Sequence, residues 1–137
     1  MSIGNECFKY QDVLNLTGLH TLESVSIGMN CFTKKTGQGG NDANRKLYVK
    51  DCEELKELRM GRYSFSDYSV IEIENVDKLE VIEIGDLESG SFNFYYASLE
   101  LKSAQLRVLL MCRLTAFEIT SLWQQLILPF FSSCVRE

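Results

Sequence analysis

The sequence predicts a β-rich solenoid, that is, a right-handed superhelix of about four to five turns with parallel strands and little helix. The prediction depends on three observations. Pairs of an apolar residue and glycine recur at nearly regular spacing, alternating apolar runs recur between the pairs, and a phenylalanine follows most pairs at a fixed distance. Short apolar patterns are common by chance, but here they recur together in one order, which indicates a single repeated structural unit.

The apolar-glycine pairs set the period of the repeat. They are Ile3-Gly4, Ile27-Gly28, Met60-Gly61 and Ile84-Gly85, and their first residues are separated by 24, 33 and 24 positions. The longer interval contains the polar, glycine-rich residues 33–46, which we expect to form a loop inserted between strands. This composition suits a binding loop and a simple connection equally, so both roles stay open.

Alternating apolar residues predict two strands in each unit. The runs are 22–27, 55–60, 79–84 and 106–111 for the longer pattern Leu-x-x-apolar-x-apolar, and 14–16, 47–49, 71–73 and 99–101 for the shorter one. Side chains alternate between the two faces of a strand. We therefore expect the inward residues of 79–84 to rest on those of 55–60 in a shared dry interior.

A phenylalanine lies five residues after each of the first three apolar residues of the pairs, at Phe8, Phe32 and Phe65. The nearest equivalents in the fourth unit are Phe92 and Phe94. We expect the rings to fill the interior where the chain leaves a strand and turns a corner, as part of the core rather than of a ligand site. The glycine before the corner is expected to adopt a backbone angle that larger residues disfavour.

Charge and composition argue against several function classes. The formal net charge is −5 and no basic run is longer than two residues, so the clustered lysine and arginine that bind nucleic acid are missing. The first residues do not form a secretory signal, and the most apolar stretch, 122–131, is too short to span a bilayer. We therefore predict no nucleic-acid or membrane partner and expect the chain as given to reside in the cytoplasm.

Candidate chemical groups are few. The five cysteines form no Cys-x-x-Cys pair, so neither a metal nor a cofactor is predicted. Cys7 and Cys31 occupy the same position in the repeat, where they form either a disulfide or a column of small buried thiols, and we favour the thiols. His20, the only histidine, is expected at the surface because no matching nucleophile motif accompanies it. We predict that the chain is not an enzyme.

The LxxLxI runs at a period near 24 residues resemble leucine-rich repeats. The following IGxxCF sequences, with MGRYSF in the third unit, resemble the surface-antigen-type leucine-rich repeats of bacteria and protists. The resemblance covers about residues 3–111 and implies stacked parallel strands. The proline that is frequent after the strand in that bacterial class and the asparagine ladder of longer repeats are both absent from these units.

We predict a repeat domain over residues 1–111, followed at 112–137 by a degenerate last repeat or an apolar C-terminal cap. Repeat folds present rigid faces, and tyrosine and arginine are common interface anchors. The predicted function is a non-enzymatic scaffold that binds an unknown protein partner through the exposed faces of its stacked strands. The predicted partner-binding residues are Ser26, Glu57, Arg59, Arg62, Tyr63, Val81 and Glu83, with Asp67 and Tyr68 following on the adjoining loop.

The alternative function is a structural or self-associating fragment of a longer repeat array with no independent partner. The first unit starts inside the repeated motif without a recognisable polar cap. An uncovered terminal unit presents strand edges and apolar surface to a second molecule. Self-association through the open ends of the solenoid is therefore also expected, and sedimentation of the purified chain distinguishes it from a monomer that captures a partner.

Overall fold

Within the residues that it describes, the computed structural model contains ten β-strands and no helix. The described residues are 1–34, 42–86, 91–94, 97–102, 109–112 and 118–122. The strands are β1 (Ser2–Ile3), β2 (Val13–Thr17), β3 (Ser24–Ile27), β4 (Asp42–Lys50), β5 (Glu57–Met60), β6 (Tyr68–Glu74), β7 (Val81–Ile84), β8 (Ser98–Lys102), β9 (Leu109–Cys112) and β10 (Glu118–Leu122).

The strands form two five-stranded parallel sheets. The odd sheet has the order β1-β3-β5-β7-β9, and the even sheet has the order β10-β8-β6-β4-β2. Consecutive strands therefore enter different sheets, and each repeat unit of one odd and one even strand adds a strand to both. This arrangement confirms the predicted strand-rich, parallel class.

The register of the odd sheet confirms the predicted stacking of the apolar runs. Leu58 is paired with Ile82, and Met60 is paired with Ile84. All four side chains are buried, as are the leucines that precede them in the two runs. Because the runs share their alternation and their spacing, the same side of each strand faces the interior between the sheets.

The prediction of a loop over the whole of residues 33–46 is wrong in part. β4 begins at Asp42, so the last five residues of that stretch belong to a strand. The pairing with β6 shifts register between Asp42 and Lys46, which indicates a β-bulge. The strand extends this far because Arg45 continues its inward alternation and finds buried partners. Residues 35–41 lie outside the described part of the chain.

Two kinds of corner join the sheets. The leucine corner leads from an even strand to the next odd strand and comprises residues 18–23, 51–56 and 75–80. The first residue of each of these three described segments has a positive φ, at Gly18, Asp51 and Asn75. The leucine two residues before the next strand closes this corner in each copy, and Leu55 and Leu79 are fully buried there.

The phenylalanine corner leads from an odd strand to the next even strand, and its described parts are 4–12, 28–34, 61–67, 85–86, 91–94 and 97. The rings of Phe8, Phe32, Phe65 and Phe94 form one column with successive centroid distances of 5.2, 4.9 and 5.1 Å. The last three rings are buried as predicted. The prediction is wrong for Phe8, which is 56% exposed because no described residue covers the outer face of its ring.

The expected positive φ of the corner glycines is found only at Gly85. Gly28 and Gly61 serve a different purpose, which is the close approach of stacked backbones. A Cβ atom at Gly61 would lie 2.7 Å from the carbonyl carbon of Gly28, and one at Gly28 would lie 2.7 Å from that of Gly4. Side chains of any size are therefore excluded between successive units.

Most of the predicted C-terminal segment, 112–137, lies outside the described residues. Within it β9 ends at Cys112, and β10 pairs in parallel with β8. The boundary at residue 111 therefore stays a prediction. In the described part of the chain no helix has the length and apolar character that crossing a bilayer requires.

Candidate functional site

The outer face of the odd sheet brings together five of the seven predicted partner-binding residues. Parallel pairing of β3, β5 and β7 places outward side chains of equivalent positions in straight rows across the sheet. The two rows are Ser26–Arg59–Glu83 and Ser24–Glu57–Val81. Neighbouring strands lie about 4.8 Å apart, so the rows form one continuous surface.

Arg59 is held between the two glutamates of this face. Its Nε donates to Oε2 of Glu57 at 3.3 Å, and its Nη1 donates to Oε2 of Glu83. The three side chains are between 28% and 47% exposed, so a partner can reach them although they are already ordered. Two carboxylates surround one guanidinium, and the face is therefore weakly acidic.

Arg62 and Tyr63 lie beside this face, in the phenylalanine corner directly after β5. The guanidinium carbon of Arg62 is 4.9 Å from the centre of the Tyr63 ring, and its Nη2 donates to the tyrosine hydroxyl at 2.7 Å. The tyrosine ring also stacks on Phe92, with centroids 6.0 Å apart. All three side chains are half-buried. They form a fixed cluster just beyond the C-terminal end of β5.

The outer face of the even sheet is also charged. Lys50 Nζ lies 2.6 Å from Glu72 Oε2 and 3.4 Å from Glu74 Oε2. The hydrogen bond that Lys50 donates to Glu72 holds the pKa of Lys50 above its ordinary value. Tyr48 lies beside this group, with Lys50 Nζ 5.1 Å from its ring centre. Each outer face therefore carries a basic side chain between two glutamates. Variants of the even face can serve as controls for variants of the odd face.

Sequence reasoning missed a buried ion cluster between β4 and the phenylalanine corner. Arg45 is fully buried, and its Nη1 donates to Oδ2 of Asp67 at 3.0 Å. Its Nη2 donates to the carbonyl oxygens of Lys9 and Gln11, at 3.0 and 2.9 Å. The hydroxyl of Tyr68 donates to the Gln11 carbonyl at 2.7 Å. These bonds connect the first three repeat units.

The placement of Asp67 and Tyr68 beside the predicted interaction surface is therefore wrong, because both side chains are buried around Arg45. The guanidinium of Arg45 lies 4.9 Å from the Tyr68 ring centre. Burial raises the pKa of Tyr68 to about 12, so its hydroxyl remains a donor at neutral pH. One signal was available in the sequence, since Arg45 stands two residues before Leu47 at an inward position, where a charge requires a partner.

Cys7 and Cys31 are free thiols, as is Cys52. The Sγ of Cys31 donates to the carbonyl oxygen of Gly4 at 2.9 Å. Burial raises the pKa values of Cys31 and Cys52, which keeps both thiols protonated and weakly nucleophilic. The structure agrees with the column of small side chains rather than with the disulfide.

His20 lies on the leucine corner, where it is 63% exposed and its Nδ1 is 3.6 Å from Oε1 of Glu53. This confirms the predicted surface position. Across the described ranges, no three histidine, cysteine, aspartate or glutamate side chains are grouped so that they could hold a metal ion. The absence of catalytic activity stays a prediction.

Comparisons of the chain with protein-family models, with curated proteins and with solved structures found no match. Any functional conclusion therefore comes from the residues and contacts described above.

Proposed function

We propose that this chain is a non-enzymatic protein-binding scaffold of the leucine-rich-repeat type, a right-handed solenoid that binds its partner through the outer face of the odd sheet. The register of β3, β5 and β7 is the observation that carries the proposal. This register fixes two rows of outward side chains, and the central strand β5 is paired with a neighbouring strand on either side. Repeat scaffolds bind their partners through rigid faces of this kind.

A ladder of side-chain hydrogen bonds in the phenylalanine corner supports the solenoid. At Phe32, Phe65 and Phe94, the residue before the phenylalanine donates to the carbonyl oxygen of the corner glycine in the preceding unit. The bonds are Cys31 Sγ to Gly4 at 2.9 Å, Ser64 Oγ to Gly28 at 2.6 Å, and Asn93 Nδ2 to Gly61 at 2.7 Å. One rule repeated in three successive units is typical of a fold in which each unit stacks on the next.

The chemistry of the odd face favours a partner segment with a lysine or arginine next to an apolar side chain. Glu57 and Glu83 outnumber Arg59 on the face, so a second cation is attracted to their outer oxygens. Val81 and the Tyr63 cluster supply apolar contact area beside these carboxylates. Arginine and tyrosine at such positions are frequent hot spots of protein interfaces.

Variants on the two sheets test this proposal. The odd-sheet variants are Tyr63→Ala and the double change Arg59→Ala with Glu83→Ala. Their even-sheet controls are Tyr48→Ala and Lys50→Ala with Glu72→Ala, which also remove a half-exposed tyrosine and a cross-strand ion pair. Affinity capture with quantitative mass spectrometry identifies the partner, and calorimetry with the purified partner measures its Kd.

We expect the odd-sheet variants to raise the Kd at least about tenfold, because anchors of this kind contribute more than about 1 kcal/mol each. The even-sheet controls are expected to leave the Kd unchanged. Retention of the partner by both odd-sheet variants, or equal weakening by the two sets, would contradict the proposal.

A further inference from the structure

Met29 is an exposed apolar side chain in the phenylalanine corner that follows β3. In the described part of the chain, five of the six exposed large hydrophobic side chains lie within residues 1–19, and the sixth is Met29, which is 45% exposed. Met29 follows Gly28 just as Arg62 follows Gly61 one unit later. The units are stacked so closely that a Cβ atom at Gly61 would lie 2.8 Å from the backbone nitrogen of Met29. Met29 and Arg62 therefore occupy equivalent positions in neighbouring units.

Arg62 connects Met29 to a pair of aromatic rings. The N–H of Asn30 donates to the carbonyl oxygen of Arg62 at 3.0 Å, which fixes the alignment of the two units. The guanidinium of Arg62 lies against the ring of Tyr63, which in turn stacks on Phe92 after the next odd strand. A thioether, a guanidinium and two aromatic rings thus follow one another across three successive units. We refer to Met29, Arg62, Tyr63 and Phe92 as the corner strip.

The groups of the corner strip share a preference for another aromatic ring. A guanidinium is attracted to the negative face of a ring. Two rings attract each other in offset-stacked or edge-to-face arrangements, and a thioether makes favourable contacts with a ring. Met29 is exposed and the other three side chains are half-buried, so a second molecule can reach all four. A ring that lies on the strip gains all three kinds of contact at once.

Other ligand chemistries gain less from these residues. A lysine or arginine of a partner is repelled by Arg62. A carboxylate is attracted to Arg62 but gains nothing from Met29, and Nη2 of Arg62 already donates to the hydroxyl of Tyr63 at 2.7 Å. The positive charge of the strip is thus complementary to the face of an aromatic ring, whereas the two glutamates of the odd face favour a cation.

We propose that the corner strip binds an aromatic side chain of the protein partner, close to the lysine or arginine that contacts the odd face. The inference rests on the proposed function, since Arg62 and Tyr63 are among its partner-binding residues, and it adds Met29 and Phe92 to them. Arg62 comes three residues after Arg59, so their backbone positions are at most roughly 10 Å apart. A partner segment of a few residues therefore reaches both places.

Peptides selected from a random phage library on the purified chain serve as the probe. We expect the selected peptides to contain tryptophan, tyrosine or phenylalanine near a lysine or arginine. Fluorescence anisotropy measures the Kd of the tightest peptide and of the same peptide with its aromatic residue replaced by leucine. Each peptide is measured with the wild-type chain and with Arg62→Gln, which gives a double-mutant cycle.

We expect Arg62→Gln to raise the Kd of the aromatic peptide about threefold to fivefold and to leave that of the leucine peptide unchanged, because a cation–π contact requires both groups. Met29→Ala changes an exposed site and is expected to raise the Kd of the aromatic peptide about twofold to threefold. Lys50→Gln is the matched control, because Lys50 lies 5.1 Å from the ring centre of Tyr48 on the even sheet. It is expected to leave both Kd values unchanged.

The variant Arg59→Ala with Glu83→Ala separates this inference from the proposed function. Weakening by this variant, without weakening by Arg62→Gln and Met29→Ala, would overturn the inference and leave the proposed function intact. The reverse result would support the aromatic site and contradict binding through the odd face. Failure to select a peptide, selected peptides without an aromatic residue, or equal weakening of both peptides by Arg62→Gln would also overturn the inference. Circular dichroism confirms that each variant is folded.

Discussion

The leucine corner and the phenylalanine corner turn the chain between the same two sheets, but they do so with different residues. Both contain residues at positive φ. The leucine corner places Gly18, Asp51 and Asn75 there, which adopt this conformation at low cost. The phenylalanine corner places its phenylalanines there, with φ between 49° and 58°, and a bulky residue in this region costs roughly 1 to 2 kcal/mol.

The strained conformation of Phe32 and Phe65 is stable because each of these two rings is buried between the rings of the units on either side. Burial of a phenylalanine contributes about 1.5 to 3 kcal/mol, and an aromatic pair adds about 0.5 to 1.5 kcal/mol. The sum of these two stabilising contributions exceeds the conformational cost only where another ring covers the phenylalanine. The leucine corner is thus favoured by local preference and the phenylalanine corner by stacking, so substitutions in the two corners have different consequences.

The largest expected effect is the loss of a ring from the middle of the column. Phe65 is fully buried between two other rings, and we expect Phe65→Ala to lower the free energy of unfolding by about 3 to 5 kcal/mol. Phe8→Ala removes a ring that is already half exposed and is expected to cost less than about 1.5 kcal/mol. Urea denaturation followed by circular dichroism measures both values, and equal losses would show that stacking does not stabilise the corner.

A methyl group between stacked glycines is the next largest change. Gly61→Ala places a Cβ atom 2.7 Å from the carbonyl carbon of Gly28, and we expect it to cost about 1 to 3 kcal/mol. Gly4→Ala is the matched control, because nothing lies within 4 Å of its Cβ position. The same denaturation measurement gives both free energies, and a tolerated Gly61→Ala would mean that the backbones do not approach so closely.

Tyr68 provides a prediction about pH. Its pKa is raised by burial from the ordinary 10.0 to about 12, so its contribution is fully present below pH 10 and is lost as the pH rises through about 12. Tyr68→Phe loses the hydrogen bond to Gln11, which costs about 0.5 to 1.5 kcal/mol at neutral pH. We expect the free energy of unfolding to fall more steeply between pH 10 and pH 12 in the wild type than in this variant. Parallel pH profiles would contradict the buried position of the hydroxyl.

The smallest expected effect lies in the leucine corner. Asp51 has φ of 53°, which glycine adopts freely, and Asp51→Gly is expected to change the free energy of unfolding by less than about 0.5 kcal/mol. Asp51→Val is expected to cost about 1 to 2 kcal/mol, because a β-branched residue disfavours this conformation. Thermal denaturation of both variants measures the difference in stability between them. Equal stabilities would show that the backbone preference of residue 51 does not contribute to the stability of the leucine corner.

The strands and their register were predictable from the sequence because they depend on two simple regularities. Alternation decides which side chains of 55–60 and 79–84 point inward, and equal spacing decides which of them become neighbours. The conformation of the phenylalanine corner was not predictable in this way. A positive φ is uncommon for phenylalanine, so the residue type does not predict it at Phe32 or Phe65, where the ring lies between two others. Burial of Phe8 was wrongly predicted for the same reason, because burial depends on the groups that cover a ring and not on its residue type.

The candidate site was predictable to the extent that it follows from the strands. The rows that contain Arg59 and Glu83 result directly from alternation and register. The ion cluster of Arg45 was missed because its partners come from distant parts of the chain, including the carbonyl groups of Lys9 and Gln11. Every residue has a backbone carbonyl group, so the sequence does not show which carbonyl groups accept a buried hydrogen bond. Only the tertiary structure shows this.

Stacking of the repeat units in register is tested most directly by methyl nuclear Overhauser effects in solution. The paired residues Leu58 and Ile82 in the odd sheet and Leu47 and Ile71 in the even sheet are each 24 positions apart in sequence. In-register stacking predicts strong methyl-to-methyl contacts within both pairs. A folded chain that lacks these contacts, or that pairs Leu58 with a residue other than Ile82, would contradict it.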